Sequence, residues 1–150
     1  LGFGSMGHGT VAPIGAKLAF PDRPVIAIVG DACFTMNGMD LLTAFEYEAP
    51  VIWIVENNHM HGITWHGTKL IDKGKPMESI RYRARLEIAA IARSMGLTAW
   101  IVDSPGQIQG AFNEALASGG PAVIEVRVDP TISPPLGDRA KTIAGLSDNE

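Results

Sequence analysis

Two short runs, Val25–Val29 and Val51–Val55, are rich in β-branched residues and contain no polar side chain. A strand with one wet face alternates apolar and polar residues, so unbroken apolar runs of this length read as strands covered on both faces, as in parallel sheets. Thr98–Val102 and Ala122–Val128 read as two more. Parallel neighbours need long crossovers, usually helical, and helical patterns occupy the intervening segments. Leu42, Phe45 and Ala49 recur at i, i+3, i+7, and Ile108, Ala111, Phe112, Ala115 and Leu116 at i, i+3, i+4, i+7, i+8. A helix over Leu86–Met95 stops at Gly96, and another is expected over Val11–Phe20, with Thr10 as its cap and Pro13 in its first turn. The order α-β-α-β-α-β-α-β predicts an α/β fold: a doubly wound parallel sheet in a three-layer α/β/α arrangement.

Turn chemistry supports this division. Ser104-Pro105-Gly106-Gln107 combines a capping box with proline at the first helical position, and Gly119-Gly120-Pro121 ends the helix that follows. Two stretches are less regular. Thr64–Tyr82, polar with several glycines and lysines, reads as a loop over the site, with Trp65 and His66 in it; Trp53 reads as core. The proline-rich tail from Asp129 to Glu150 is expected to wrap a surface or fray.

Composition narrows the function. The chain has 150 residues, 46% of them apolar, enough for one ordinary domain core. A net charge of −4, without a basic block or interleaved aromatics, argues against nucleic acid or an anionic membrane as partner. The one cysteine, Cys33, excludes a disulfide framework or an all-cysteine metal site within the chain and fits a reducing cytoplasm. No apolar run approaches the roughly 18 to 20 residues that span a bilayer.

In a doubly wound sheet, ligands bind beyond the carboxyl ends of the strands. That rule brings Gly30–Asp31 and Asn57–His61 into one candidate site. Asp31 and Asn58 offer hard oxygen ligands, which magnesium favours together with phosphate oxygens and water. Backbone N–H groups at Gly30, and at a following helix expected to start near Asn37–Asp40, add anion-binding capacity. A glycine–aspartate pair alone is most often a turn; its spacing from the asparagine pair is more specific.

Gly30-Asp31-Ala32, twenty-four residues from Cys33 to Glu56, and then Asn57-Asn58 resemble the signature of thiamine-diphosphate enzymes: GDG, about two dozen residues, then NN. Gly4-Ser5-Met6-Gly7-His8-Gly9, leading into Ala12-Pro13-Ile14-Gly15-Ala16, is similar to the glycine-rich segment and helix that precede this signature in acetolactate synthases and benzoylformate decarboxylases. The likeness runs from about Gly2 to Asp129, giving an expected diphosphate-binding domain over 1–129 and a tail over 130–150. The resemblance implies thiamine diphosphate and Mg2+ as cofactors. It implies Asp31 and Asn58 as side-chain metal ligands and Met60 as a backbone-carbonyl ligand. It sets Gly30, Ala32, Cys33, His61 and Gly62 beside the diphosphate. Met6 takes the position of the apolar residue that props the cofactor in a bent conformation, with Gly4 and Ser5 in the same segment. Ala32 departs from the pattern, standing where glycine is usual.

Competing readings exist. Gly2-Phe3-Gly4-Ser5-Met6-Gly7 spells GxGxxG, but a dinucleotide fingerprint requires a preceding strand, and the visible chain supplies none. His8, His59, His61 and His66 lack the further ligands a zinc site needs. His8 or His61 is instead a candidate proton donor facing substrate, beside an equal expectation of surface or packing roles. Met6 has ordinary core packing as its alternative, and Cys33, a small residue expected near the diphosphate, reads first as a packing residue. The family's activating glutamate comes from a pyrimidine-binding domain or subunit, for which the chain shows no second αβ domain. The abrupt start at Leu1 in a glycine-rich stretch adds the expectation that the first elements are missing. The chain is therefore read as part of a homo-oligomeric, acetolactate-synthase-like carboligase or 2-oxo-acid decarboxylase, inactive alone and acting on a small 2-oxo acid. A separate subunit of a two-chain decarboxylase and a non-catalytic assembly domain are the alternatives.

Overall fold

The computed structural model describes residues 4–71, 74, 75, 77–133 and 145. Along them run α1 (His8–Ala19), β1 (Val25–Gly30), α2 (Asp31–Asn37), α3 (Leu41–Glu46), β2 (Val51–Asn57), α4 (Gly62–Ile71), α5 (Ile88–Ser94), β3 (Thr98–Val102), α6 (Ile108–Ser118) and β4 (Ala122–Arg127). The strands form one parallel sheet in the order β1-β2-β4-β3. The chain divides into two compact units. One, 1–57 with 87–128, carries the whole sheet; the other, 58–86 with 129–150, carries α4.

Strand order explains burial in the sheet unit. β2 and β4 are central, and Val51, Trp53, Val55, Ala122, Val123, Ile124 and Glu125 are completely buried. On one face, Ala111 and Ala115 of α6 pack on Ile52, Val102, Ala122 and Ile124. On the other, the Trp53 indole N–H donates to the Thr10 carbonyl of α1 (2.9 Å), and Ala89 of α5 donates its N–H to Glu125. Helices on both faces make the expected three-layer α/β/α fold. The capping box at Ser104 and Gln107 and the left-handed Gly119 that ends α6 also form as expected.

Several local expectations change. β1 is not covered on both faces by the described residues: Ile26 and Ile28 are 45% and 69% exposed, because β1 is an edge strand and α6, on the same face, packs over β2, β4 and β3 instead. β1 and β2 each continue to the motif itself, ending at Gly30 and Asn57. α2 follows β1 directly, so a helix already begins at Asp31, and the helical start expected near Asn37–Asp40 is the second one, the 3-10 turn Gly38–Asp40 that runs into α3. α1 starts at His8 behind Gly7, not at Val11. Thr10 lies buried inside it and spends its hydroxyl on the Cys33 carbonyl (3.3 Å) instead of capping, and Pro13 falls beyond the first turn. In α3 the buried residues are Leu41 and Ala44, whereas Leu42 and Phe45 stay half exposed. The tight 3-10 turn at Gly38–Asp40 precedes α3 and shifts the phase of the apolar stripe.

In the other unit, much of the expected loop is helical. α4 forms despite Gly62, Gly67 and two threonines, residues with weak helix propensity. His66 is buried in it, edge-on to Trp65 at 4.9 Å between ring centroids, so packing overrides propensity there. Among the described residues no helix is long and apolar enough to cross a membrane. Gly2 and Phe3, and residues 134–144 and 146–150 of the tail, lie outside the described residues.

Candidate functional site

The carboxyl end of β1 passes into α2 without a loop. Gly30 is still extended (φ −80°, ψ 159°), and Asp31 is the first helical residue. Asp31 is 2% exposed, and its Oδ1 accepts the Ala32 N–H at 2.8 Å. Acidic side chains in a first helical turn are favoured by the N–H groups there. Ala32 is buried and has no positive φ, so its backbone conformation does not require glycine. β2 ends next to β1, with Glu56 opposite Gly30 and Asn57 one residue further. The sheet thus brings Asp31 and Asn57 to adjacent strand ends.

A glycine turn lies in the same unit. Gly4 and Gly7 both have positive φ (71° and 87°), and a Cβ at Gly7 would run into the Asn37 side-chain amide. Only glycine meets both demands at position 7. The Gly7 N–H points at Cys33 Sγ (3.2 Å), which ties the turn to α2. Met6 is 48% exposed in this turn, so core packing does not account for it. Ser5 and His8 are exposed beside it.

The second unit opens with a turn built on Asn58. Asn58 Oδ1 accepts the Met60 N–H at 3.1 Å, and His59 between them takes a left-handed φ of 60°. Conformations of this kind carry strain and cluster at functional sites. Tyr82 donates its backbone N–H to the His59 carbonyl (3.0 Å), and His61 donates to the Ile80 carbonyl (3.1 Å). Met60 and Arg81 form the corresponding antiparallel bridge. The Met60 carbonyl accepts the Gly62 N–H at 2.9 Å, and the Met60 side chain is buried. Gly62 leaves room for Asn58: a Cβ there would sit 2.5 Å from Asn58 Nδ2 and displace that amide. The His61 ring lies 3.4 Å from the Tyr82 hydroxyl.

The two asparagines have different surroundings. Asn57 is buried, its Nδ2 donating to Glu125 Oε1 at 2.8 Å, while Asn58 is only partly buried. Glu125 also accepts the Ala89 N–H through Oε2 (2.8 Å) and faces Arg127 Nε at 3.5 Å. Arg127 meets Glu87 at 2.9 Å and Asp103 at 3.3 Å as well. Desolvation opposes its charge, but Asp103, Glu125 and Glu87 together raise its pKa above the ordinary arginine value. Sequence reasoning passed over this cluster. Its signal was a lone carboxylate inside an apolar strand, Ala122-Val123-Ile124-Glu125-Val126, since an ionisable group is rarely buried unless paired.

Of the expected site residues, Gly4, Ser5, Met6, His8, Gly30, Asp31, Ala32 and Cys33 belong to the sheet unit, and Asn58, Met60, His61 and Gly62 to the other. Among the described residues no group of three or more His, Cys, Asp or Glu side chains converges on a possible metal position.

Residues 1–126 match the family model described as "Thiamine pyrophosphate enzyme, C-terminal TPP binding domain". A protein described as "Probable acetolactate synthase large subunit" from Methanococcus aeolicus is 35% identical over 130 residues, covering 87% of the chain and 22% of the relative. The acetolactate synthase isozyme 1 large subunit of Escherichia coli is 33% identical over 128 residues, covering 85% of the chain and 23% of the relative. Among solved structures, the thiamine diphosphate-dependent 4-hydroxybenzoylformate decarboxylase of Rhodococcus jostii RHA1 superposes with a TM-score of 0.76 at 31% identity, over 83% of this chain and 23% of that one. The chain thus spans less than a quarter of the length of each of these relatives.

Proposed function

Because the chain belongs to the family of C-terminal TPP-binding domains of thiamine pyrophosphate enzymes, we propose that it holds the magnesium–diphosphate end of thiamine diphosphate. The enzyme it serves is an acetolactate-synthase-like 2-oxo-acid decarboxylase or carboligase. The observation that carries this reading is the parallel β1–β2 pairing, whose last register pair is Gly30 and Glu56, one residue before β2 ends at Asn57, and which leaves Asp31 buried at the first strand end.

The residues fit the group. Asp31, the Asn58 side-chain oxygen and the Met60 carbonyl are hard oxygen donors of the kind magnesium takes, with phosphate oxygens and water completing its shell. The bare Cα of Gly62 leaves the space that a methyl group would take from Asn58. In this reading Gly30, Ala32, Cys33, His61 and Gly62 line the diphosphate, and Gly4, Ser5 and half-exposed Met6 meet the organic part of the cofactor. When bound, thiamine diphosphate supplies a carbon centre that accommodates the negative charge released on decarboxylation of a 2-oxo acid. The chain's own part is to bind and orient that cofactor, with His8 or His61 positioned to move a proton on the substrate side. A pyrimidine-binding domain or partner subunit supplies the activating glutamate, so the chain alone does not turn over. The small share of its relatives that the chain spans supports that division. The same reading extends to a homo-oligomer in a reducing cytoplasm.

The test is Asp31→Ala in the full-length protein, with thiamine diphosphate binding followed by calorimetry in the presence of Mg2+. Magnesium-dependent binding is lost, whereas Gln109→Ala, on the exposed face of α6, leaves it unchanged. Wild-type affinity in the aspartate variant would overturn the metal assignment.

A further inference from the structure

Asn57 is held at both of its ends. Its side-chain amide donates to Glu125 Oε1 at 2.8 Å, and its carbonyl accepts the Val128 N–H at 3.0 Å. The second bond orients the peptide that leads into Asn58, and the first keeps the Asn57 side chain inside the sheet unit. Glu125, with no exposed surface, is itself held by the Ala89 N–H and by Arg127. Both short contacts to Glu125 come from N–H donors, the complement an ionised, acceptor-only carboxylate requires. A buried carboxylate is costly unless such partners surround it, and this one spends an oxygen on Asn57, where β2 ends.

We propose that Glu125 is a positioning residue for cation binding: through Asn57 it fixes the strand end from which the ligand Asn58 departs. Of the two asparagines, one anchors and the next coordinates. The proposal rests on the reading of Asn58 as a magnesium ligand. It adds a residue that touches neither metal nor cofactor and lies 67 positions beyond Asn58 in the chain.

The experiment measures, in the full-length enzyme, the Mg2+ concentration that half-saturates thiamine diphosphate binding, alongside the unfolding temperature without cofactor. Asn57→Asp sets two carboxylates against each other and raises that concentration about 10- to 100-fold, as loss of an outer-shell partner does elsewhere. In the double variant Asn57→Asp with Glu125→Gln, the glutamine amide donates to the new carboxylate and its oxygen still accepts from Ala89. The magnesium requirement then returns to within about threefold of wild type, a coupling that independent sites do not show. Asn57→Ala removes the tie without adding charge and serves if Asn57→Asp does not fold; it weakens magnesium dependence too. An unchanged magnesium requirement in Asn57→Ala, or a double variant no better than Asn57→Asp, overturns the proposal and leaves Glu125 a contact of the fold alone. Asn58→Ala separates the two ideas. If it binds magnesium and cofactor normally, the ligand assignment fails and the positioning role fails with it; if it is impaired while Asn57→Ala is not, only the positioning role fails.

Discussion

Gly62 and Asn58 show how a single missing methyl group shapes the candidate site. A Cβ on residue 62 would lie 2.5 Å from the Asn58 amide nitrogen, so Gly62→Ala must push that amide aside. The expected result is a rise of about tenfold or more in the Mg2+ needed for cofactor binding, with little change in unfolding temperature, because the turn is otherwise unaltered. Titration of thiamine diphosphate at graded Mg2+ checks it; a stability loss without a change in metal dependence would make Gly62 a packing residue. At this scale the sequence was legible where a motif spacing carried the signal. That spacing singled out Gly30, Asp31 and the asparagine pair, and β1 and β2 end at Gly30 and Asn57. It did not reveal which asparagine faces inward, since neighbouring identical residues differ only in what they meet. That is settled by Glu125, a residue 68 positions from Asn57.

Elements with self-contained chemistry were read well. The capping box before α6 joins Ser104 and Gln107 through bonds three residues apart, and both form. Ser104→Ala is expected to cost about 1 kcal/mol of stability with no effect on cofactor affinity, measured by chemical denaturation and calorimetry on the same protein. A change in affinity would mean the helix start acts on the site. α3 and α4 were misread for opposite reasons. A 3-10 turn ahead of α3 turned Leu41 and Ala44 inward where periodicity had chosen Leu42 and Phe45. α4 has a polar, glycine-containing sequence yet buries His66. Propensity and periodicity see only neighbours along the chain, and here the packing surface decided.

At the scale of the sheet unit, β2 and β4 form the buried centre, and both the Asp31 and Asn57 strand ends grow from it or beside it. A ligand that binds only the folded state stabilises it by mass action, by about 2.7 kcal/mol at 100 times its dissociation constant. Thiamine diphosphate with Mg2+ should therefore raise the unfolding temperature of the full-length enzyme. Chelation of the metal and Asp31→Ala should each abolish that rise. Stabilisation by the cofactor that survives both would place the binding energy outside the strand ends.

The sequence by itself determined the fold class, the four strands with helices between them and the motif at the ends of β1 and β2, because hydrophobic periodicity and turn chemistry are local and the motif spacing is written along the chain. Tertiary structure alone decided the strand order, the exposed flank of β1, the helical state of Gly62–Ile71 and the contrast between a buried Asn57 and a partly buried Asn58. Each of these depends on which distant residue comes to lie alongside. A buried carboxylate at position 125 has no meaning until β4 is laid beside β2.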